Sequence, residues 1–417
     1  MLDLKRLRSD PDSVRAALER RGDAAGLDRV IELDERRRAL LGQLETLRAG
    51  QNAANEAISA AKASGESADE QIAAMKCVAE RAKALDTELQ AVEAELDGAL
   101  ALLPNLPDED APAEDTVLRE CGEPPKFDFE PRDHLALSGE RIDMERGARL
   151  SGARFAYLRG ELVMLELALV RWTLELLGEH DFEPVIPPVL VREQALHGTG
   201  FLPDTEQQIY SLAGDDLYLV GTSEVALASL HADEILDAGK LPLRYAGFSP
   251  CFRREAGSAG RDTRGIFRVH QFDKVEMFSF VAPEQANEEH LRLLAIEEQI
   301  LTALGLPYRV VDIAIDDLGA SAARKFDCQA WLASEGRYRE LTSTSNTTDF
   351  QARRLAIRMR REGGKPELLA TLNGTAVAVG RTIIALLENG QQADGSVVLP
   401  QCLVDCGAPA VLPPAGD

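Results

Sequence analysis

Two stretches of the chain place apolar side chains at alternating steps of four and three. In the first, Leu33, Arg37, Leu40, Leu44, Leu47, Gln51, Ala54, Ile58 and Ala61 share one stripe. After the polar turn Ser64-Gly65-Glu66-Ser67, a second stripe runs through Met75, Val78, Ala82, Leu85, Leu89, Val92, Leu96, Ala99 and Leu103. This is the heptad pattern of helices that pack along a seam. It predicts an antiparallel coiled-coil hairpin over about residues 28–103, with two helices of roughly 30 residues, each about 45 Å long. Arg37 and Gln51 in the seam predict looser packing there. A short helix is expected upstream within residues 1–25, capped at Ser9-Asp10-Pro11 or Asp12. A hairpin of this kind buries one stripe and has little core of its own. On pattern alone it is more naturally a spacer or dimerisation element than a lever reaching a distant partner.

The hairpin ends near Pro104-Asn105-Leu106-Pro107, which divides the chain into 1–104 and 105–417. Residues 107–125, rich in Pro, Asp and Glu, read as a linker. From about Arg132 the composition becomes globular. Phe155 to Leu177 has the pattern of a long, mostly buried helix closed by Gly178. Phe182 to Val191 carries prolines inside an apolar run, which predicts a helix leading into an edge or interface strand. Leu217-Tyr218-Leu219-Val220 is β-rich, and Gly221-Thr222-Ser223-Glu224 reads as a helix start with Thr222 or Ser223 as N-cap. Phe267-Arg268-Val269-His270 alternates as a strand does, so two antiparallel strands should flank a charged, Gly-rich loop after Phe252. Thr342 to Thr348, small and polar, reads as a surface loop. Leu372 to Ala378 predicts a strand running into a helix near Gly380. The fold class is therefore α+β.

Composition narrows this further. A length of 417 residues exceeds one ordinary core, so two domains are expected. The six cysteines make no Cys-x-x-Cys pair, and Cys402 and Cys406 lack a second pair or a nearby His. Reduced thiols are expected, with no structural zinc and no organic cofactor. No apolar run reaches the roughly 18 residues of a spanning helix, and the N-terminus lacks a signal-peptide layout. A cytoplasmic protein with no membrane partner is the expectation. The net charge of -24 argues against nucleic acid as a partner by bulk charge, and DNA is not expected. Any RNA affinity would have to come from local patches, either Arg36-Arg37-Arg38 with Arg48 or the Arg253 to Arg268 loop.

The candidate chemistry lies in a few segments. Phe252-Arg253-Arg254-Glu255-Ala256-Gly257-Ser258, then Arg261-Asp262-Thr263-Arg264-Gly265, then Val269-His270-Gln271-Phe272-Asp273-Lys274-Val275-Glu276 join basic groups, glycines and an aromatic platform. Arginine grips phosphate with two parallel hydrogen bonds, so such a loop suits a polyanion. Arg381 sits in the first turn of a helix, where the dipole disfavours a cation unless an anion is bound. Glu340 and Ser343 offer the hard oxygens that Mg²⁺ prefers. Glu276 follows Lys274 on a strand and reads as solvent-facing or paired with that lysine.

The wording from Phe252 to Glu276 resembles motif 2 of class II aminoacyl-tRNA synthetases, as written in bacterial-type seryl-tRNA synthetases. Residues 182–191, with Pro188, resemble motif 1, and residues 372–389 resemble motif 3. With the arm in front, the likeness covers essentially the whole chain. It implies an antiparallel-sheet class II catalytic domain behind an N-terminal tRNA-binding arm, and a homodimer built through motif 1. It implies a serine–tRNA ligase that activates serine with ATP and Mg²⁺, then charges tRNA(Ser) and also tRNA(Sec). Arg253 and Arg381 would be the catalytic pair. Arg253, Arg254, Glu255, Arg268, Val269, Phe272, Glu340, Leu341, Thr342, Ser343 and Arg381 would bind ATP, with Glu340 and Ser343 on the metal. Thr222, Ser223, Glu224, Arg253, Glu276, Asn373 and Thr375 would bind serine. Alternatives are an inactive or specialised tRNA-binding paralogue, and a ligase that loads an amino acid onto a carrier protein. Two positions depart from the family wording: Asp316 stands where Gly is usual, and Gln329 where Glu is usual. If they tune the site, they alter substrate fit.

Overall fold

The computed structural model describes residues 1–65, 67–203, 208–256, 260, 262 and 264–416. Gly257, Ser258, Arg261 and Thr263 of the charged loop, and Glu66 of the hairpin turn, lie outside the described residues. The chain divides into two compact units, Met1–Pro104 and Asn105–Asp417.

The first unit is helical. Where one short helix was expected there are two, α1 (Leu4–Ser9) and α2 (Pro11–Arg20). Asp10 breaks them apart. Its side chain accepts the Ser13 N–H at 3.2 Å, and Pro11 begins α2 where its missing N–H costs nothing. The hairpin follows as α3 (Leu27–Ser64) and α4 (Asp69–Leu102). Gly65, at φ 80°, ends α3 by returning its N–H to the last turn. Leu33, Leu40 and Leu44 of α3 and Leu89, Val92 and Leu96 of α4 are buried. Towards the turn, the seam from Leu47 to Ala82 is half-buried, so the packing thins along the arm.

Ion pairs across the hairpin match its antiparallel register. Arg29 meets Glu95, Arg36 meets Glu88 at 2.7 Å, Arg37 meets Glu93 at 3.0 Å and Arg48 meets Asp86 at 3.0 Å. Arg38 pairs with Asp34 on its own helix at 3.1 Å. The expected basic patch of Arg36, Arg37, Arg38 and Arg48 is thus largely neutralised by carboxylates. Exposed pairs of this kind add well under ~1 kcal/mol each, and their larger effect is on the surface field. Lys62, Lys76, Arg81 and Lys83, nearer the turn, have no ion-pair partner among the described residues.

The second unit is built on an eight-stranded sheet. Its strands in chain order are β1 (Thr116–Cys121), β2 (Glu183–Val185), β3 (Leu243–Phe252), β4 (Gln271–Val281), β5 (Tyr308–Asp312), β6 (Arg324–Leu332), β7 (Arg337–Asn346) and β8 (Ala370–Ala378). They lie in the order β1-β5-β6-β7-β8-β4-β3-β2. Every neighbouring pair is antiparallel except β2 with β3. Val275 and Met277 of β4 join one core with helices α5 (Glu161–Glu179), α6 (Ala286–Ala303) and α7 (Val379–Gly390). Phe278 and Phe280 face a second core with Leu227, Ile357 and Met359. Both faces of β4 are covered, so its second half reads as a near-continuous apolar run rather than an alternation.

Several expectations change. Helix α5 starts at Glu161, not Phe155, because Tyr157–Leu158 pairs with Ile142–Asp143 and Gly160 turns the chain at φ 60°. It runs one residue past Gly178. Residues 182–191 contain no helix: Glu183–Val185 is the edge strand β2, and Leu190–Val191 pairs with Leu217–Leu219 in a smaller sheet. The expected linker carries β1. Asn105 anchors its start by donating to the Ser321 and Thr347 carbonyls, each at 2.9 Å. Residues 337–346 form the interior strand β7, not a surface loop. No helix is long and apolar enough to cross a membrane among the described residues, and all six cysteines are free thiols.

Candidate active site

A cavity of about 310 Å³ opens where β3, β4, β7 and β8 meet the start of α7. At one end lies a buried charge cluster. Lys274 and Glu276 are two apart on β4, so both side chains point the same way, and they form an ion pair at 6 % and 1 % exposure. Thr222 bridges them: Lys274 Nζ donates to its Oγ1 at 2.8 Å, and the hydroxyl donates to Glu276 Oε2 at 3.0 Å. The Glu224 N–H also donates to Thr222 Oγ1 at 3.2 Å just ahead of the short helix Glu224–Ala228, whose N-cap residue is Ser223, and Thr222 faces the cavity.

Glu224 is buried beside that cluster. Its Oε1 accepts Gln351 Nε2 at 2.7 Å and Asn373 Nδ2 at 3.0 Å. Burial, then the charge of Glu276, pushes its carboxyl up to about 7. Thr375 lies directly across the β4–β8 ladder from Glu276. Glu276 therefore already has a cation in Lys274, which sequence reasoning left out of the site. The signal was present, since a residue two before Glu276 on a strand shares its face.

The other end of the cavity is cationic and aromatic. Arg253 follows β3, donates through Nε to the Gly221 carbonyl at 3.1 Å and lies 5.3 Å over the Phe272 ring. Arg381, in the first turn of α7, donates through Nη1 to the Glu340 carbonyl at 3.1 Å and lies 4.6 Å over Phe267. Arg339 lies over the same ring at 4.0 Å and holds Asp262 at 2.9 Å. Arg268 pairs with Glu255 and stands 3.7 Å from Asp262. These contacts explain why 267–270 is not the predicted strand. The Phe267 ring is held by arginines, and the β3–β4 register continues for one bond only, Arg253 N–H to His270 O at 2.9 Å, before the His270 N–H turns to Arg154 O at 3.1 Å.

Glu340 stands in the cavity wall, its side chain 47 % exposed. Burial of its surroundings works against the charge, but Arg381, Lys325, Arg253 and Arg268 outweigh it and hold the carboxyl below its ordinary value. Lys325 also lines the cavity and pairs with Asp327 at 3.1 Å. Burial pushes Asp327 up to about 7. Lys325 was not predicted, because only the pairing of β6 with β7 brings it beside Ser343 and Ser345. An ionised carboxylate with a serine hydroxyl on the same wall suits a hard divalent cation bound together with phosphate oxygens.

Of the residues singled out in the sequence, Thr222, Glu224, Arg253, Glu255, Arg268, Val269, Phe272, Glu276, Glu340, Leu341, Thr342, Ser343, Asn373, Thr375 and Arg381 line this one cavity. Two do not. Arg254 is exposed outside it, and Ser223 is turned towards the Gly247 carbonyl at 3.4 Å. Asp316 and Gln329 are also remote. Asp316 is exposed in a 3₁₀ turn without a positive φ, so the glycine expected there is not needed for backbone shape. Gln329 accepts from Arg309 Nε at 2.8 Å on the β5–β6 pair.

Comparison with known proteins agrees with this geometry. Residues 209–390 match the tRNA synthetase class II core domain (G, H, P, S and T), which makes this part of the chain a class II aminoacyl-tRNA synthetase core. Residues 1–107 match the seryl-tRNA synthetase N-terminal domain. The serine–tRNA ligase of Thermobifida fusca is 53 % identical over 97 % of this chain and 96 % of its own length. That of Acidothermus cellulolyticus is 55 % identical over 99 % and 100 %. The crystal structure of the Pyrococcus horikoshii seryl-tRNA synthetase complexed with ATP superposes with a TM-score of 0.94 at 38 % identity, covering all of both chains. The cytoplasmic serine–tRNA ligase of Naegleria fowleri, in complex with AMP, gives 0.86 at 30 % identity over 98 % of this chain and 96 % of that one. The chain belongs to the seryl-tRNA synthetases, the family of serine–tRNA ligases.

Proposed function

We propose that the chain activates serine with ATP and transfers it to tRNA(Ser) and to tRNA(Sec), acting in the cytoplasm. The observation that carries the reading is that residues of motifs 2 and 3, with Thr222 and Glu224, line a single cavity with an anionic end and a cationic end. Glu276, Glu224 and Thr222 suit the ammonium of an amino acid, and Thr375 and Asn373 suit a small hydroxyl side chain. Arg253, at the cationic end but near enough to act on both Glu224 and Glu340, suits the substrate carboxylate together with the α-phosphate. Phe272 offers a face for adenine, with the backbone at Val269 near the purine edge. Arg381 suits the γ-phosphate. Glu340 and Ser343 would hold the Mg²⁺ that accompanies ATP and neutralises phosphate charge.

The chemistry then needs no side-chain nucleophile. A serine carboxylate oxygen attacks the α-phosphorus, the bond to the bridging oxygen breaks, and pyrophosphate leaves. A terminal ribose hydroxyl of tRNA next attacks the seryl carbonyl and releases AMP. Positioning and preorganised charge supply the acceleration. Arg253 rests on Phe272 and Arg381 on Phe267, contacts worth roughly 0.5–2 kcal/mol each that hold the guanidinium planes while their edge N–H groups can still donate to substrate.

The arm, residues 1–104, is proposed to bind tRNA, and residues 105–417 to form the catalytic domain. Lys62, Lys76, Arg81 and Lys83 are better placed for phosphates than the paired arginines nearer the base. A homodimer through motif 1 is supported by apolar side chains left open around it: Ile186 at 83 %, Leu167 at 54 % and Met164 at 50 % exposure. Charging of a total tRNA fraction with labelled serine tests the overall reading, with sedimentation velocity for the dimer. No label entering tRNA from serine, while another labelled amino acid is charged in its place, would refute it.

A further inference from the structure

His134 lies outside all three motifs, on the short helix His134–Ser138, and is 9 % exposed. The N–H of Ile266 donates to its Nε2 at 3.3 Å. That nitrogen must therefore carry a lone pair, and the ring proton sits on Nδ1, 3.4 Å from Glu388 Oε1. Glu388 Oε1 also accepts the His134 N–H at 3.3 Å, while Oε2 accepts the Ser334 N–H at 3.0 Å. Ile266 ends the charged loop and leads into Phe267, whose carbonyl accepts Arg381 Nε at 3.4 Å. Glu388 belongs to α7, whose first turn carries Arg381. One imidazole thus joins the end of the motif 2 loop to the far end of the motif 3 helix.

Gly265 makes room for this joint. Its φ is 78°, and a Cβ there would lie 2.0 Å from His134 Nε2. The ring and a side chain at 265 cannot share the space.

We propose that His134 is a positioning residue for the nucleotide end of the cavity: it sets the spacing between the motif 2 loop and the motif 3 helix and so orients Phe267 and Arg381. The proposal rests on the nucleotide reading given above. Losing both imidazole contacts removes one or two hydrogen bonds to buried groups, on the order of a ten-fold change in equilibrium.

The test compares His134→Leu, His134→Gln and Gly265→Ala with the full-length chain in ATP–pyrophosphate exchange and in calorimetric ATP binding. A glutamine keeps one acceptor and one donor at nearly the imidazole spacing. The leucine variant should raise the KM for ATP about ten-fold and leave the KM for serine within about two-fold. The glutamine variant should recover most of that loss. Gly265→Ala should weaken ATP binding alone, and add less on the His134→Leu background than it does by itself. Equal rises in both KM values, or a glutamine no better than leucine, would overturn the proposal. So would a lowered melting temperature with ATP affinity intact. If wild-type exchange responds to an amino acid other than serine, the functional reading fails, and the calorimetric comparison still decides the role of His134.

Discussion

Lys274 and Glu276 form an ion pair inside the cavity, two residues apart on β4 and bridged by the Thr222 hydroxyl. A buried carboxylate is costly without a cation, and here the protein supplies its own. The ammonium of Lys274 occupies the neighbourhood in which a substrate ammonium would bind. In the proposed reading, serine enters a site whose acid is already held in place by Lys274 and Thr222.

The first prediction follows from that pair. Lys274→Met should lower unfolding stability by about 3–5 kcal/mol, because it strands a buried charge. Serine should then stabilise the variant more than it stabilises the wild type, since its ammonium replaces the missing cation. Denaturant titration with and without serine measures both effects. An equal shift with serine in the two proteins would show that Lys274 and the substrate do not share a partner.

The two arginines proposed to act in catalysis give a second. Removing Arg253 or Arg381 should each reduce serine-dependent exchange by roughly 100- to 1000-fold, the scale for one preorganised charge-stabilising donor. Arg254→Ala, outside the cavity, should leave the exchange rate near wild type. Steady-state exchange kinetics separate the three. A large loss at Arg254 with little at Arg253 would reverse the assignment.

Glu224 sets a pH dependence. Its folded carboxyl is raised to about 7, so the native state holds a proton that the unfolded chain has released. The sign is therefore one of falling stability as pH rises from the ordinary glutamate range, about 4.5, to about 7, with the full penalty above that. Serine binding should move the other way and tighten through about pH 7 as the carboxylate forms. Glu224→Gln keeps an oxygen for the Gln351 and Asn373 amides and should flatten both profiles. Profiles unchanged in the variant would mean that another group titrates.

The family departures make a fourth prediction, in the negative. Asp316 is exposed, and Gln329 accepts from Arg309 outside the cavity. Asp316→Gly with Gln329→Glu should leave both KM values and the exchange rate within error. The new carboxylate beside Arg309 should add only tenths of a kcal/mol. A several-fold change in serine KM would show a longer-range influence than the geometry contains.

The arm and the motif order could be read from the chain because heptads and phosphate-gripping arginines leave local traces. The interior strand β7 could not. Thr342, Thr344 and Asn346 look like loop residues, yet Thr342 donates to buried Glu297 at 2.8 Å and Thr344 to the Asn373 carbonyl at 2.9 Å. Their polarity serves the cavity and its underside, and no period-2 apolar pattern survives. The segment 267–270 failed in the opposite sense, with alternation but no strand, because arginines hold the Phe267 ring and the His270 N–H turns to Arg154 O instead of extending the ladder. Lys325 reaches the cavity only through long-range packing, for which the sequence carries no spacing signal.

The proposed domain roles should be separable. Deleting Asp28 to Leu102 should preserve seryl-adenylate formation and abolish tRNA charging, since the cavity draws every lining residue from the second unit. Exchange and charging assays on the same folded preparation decide it. Loss of both activities would give the arm a role in activation.

The central claim is that this cavity selects serine, and ATP–pyrophosphate exchange with each of the twenty amino acids, with and without tRNA, tests it most directly. The account predicts rapid exchange with serine alone, independent of tRNA, because Glu276 and Thr222 meet the ammonium and Thr375 the hydroxyl. Exchange with alanine or threonine equal to that with serine would contradict it.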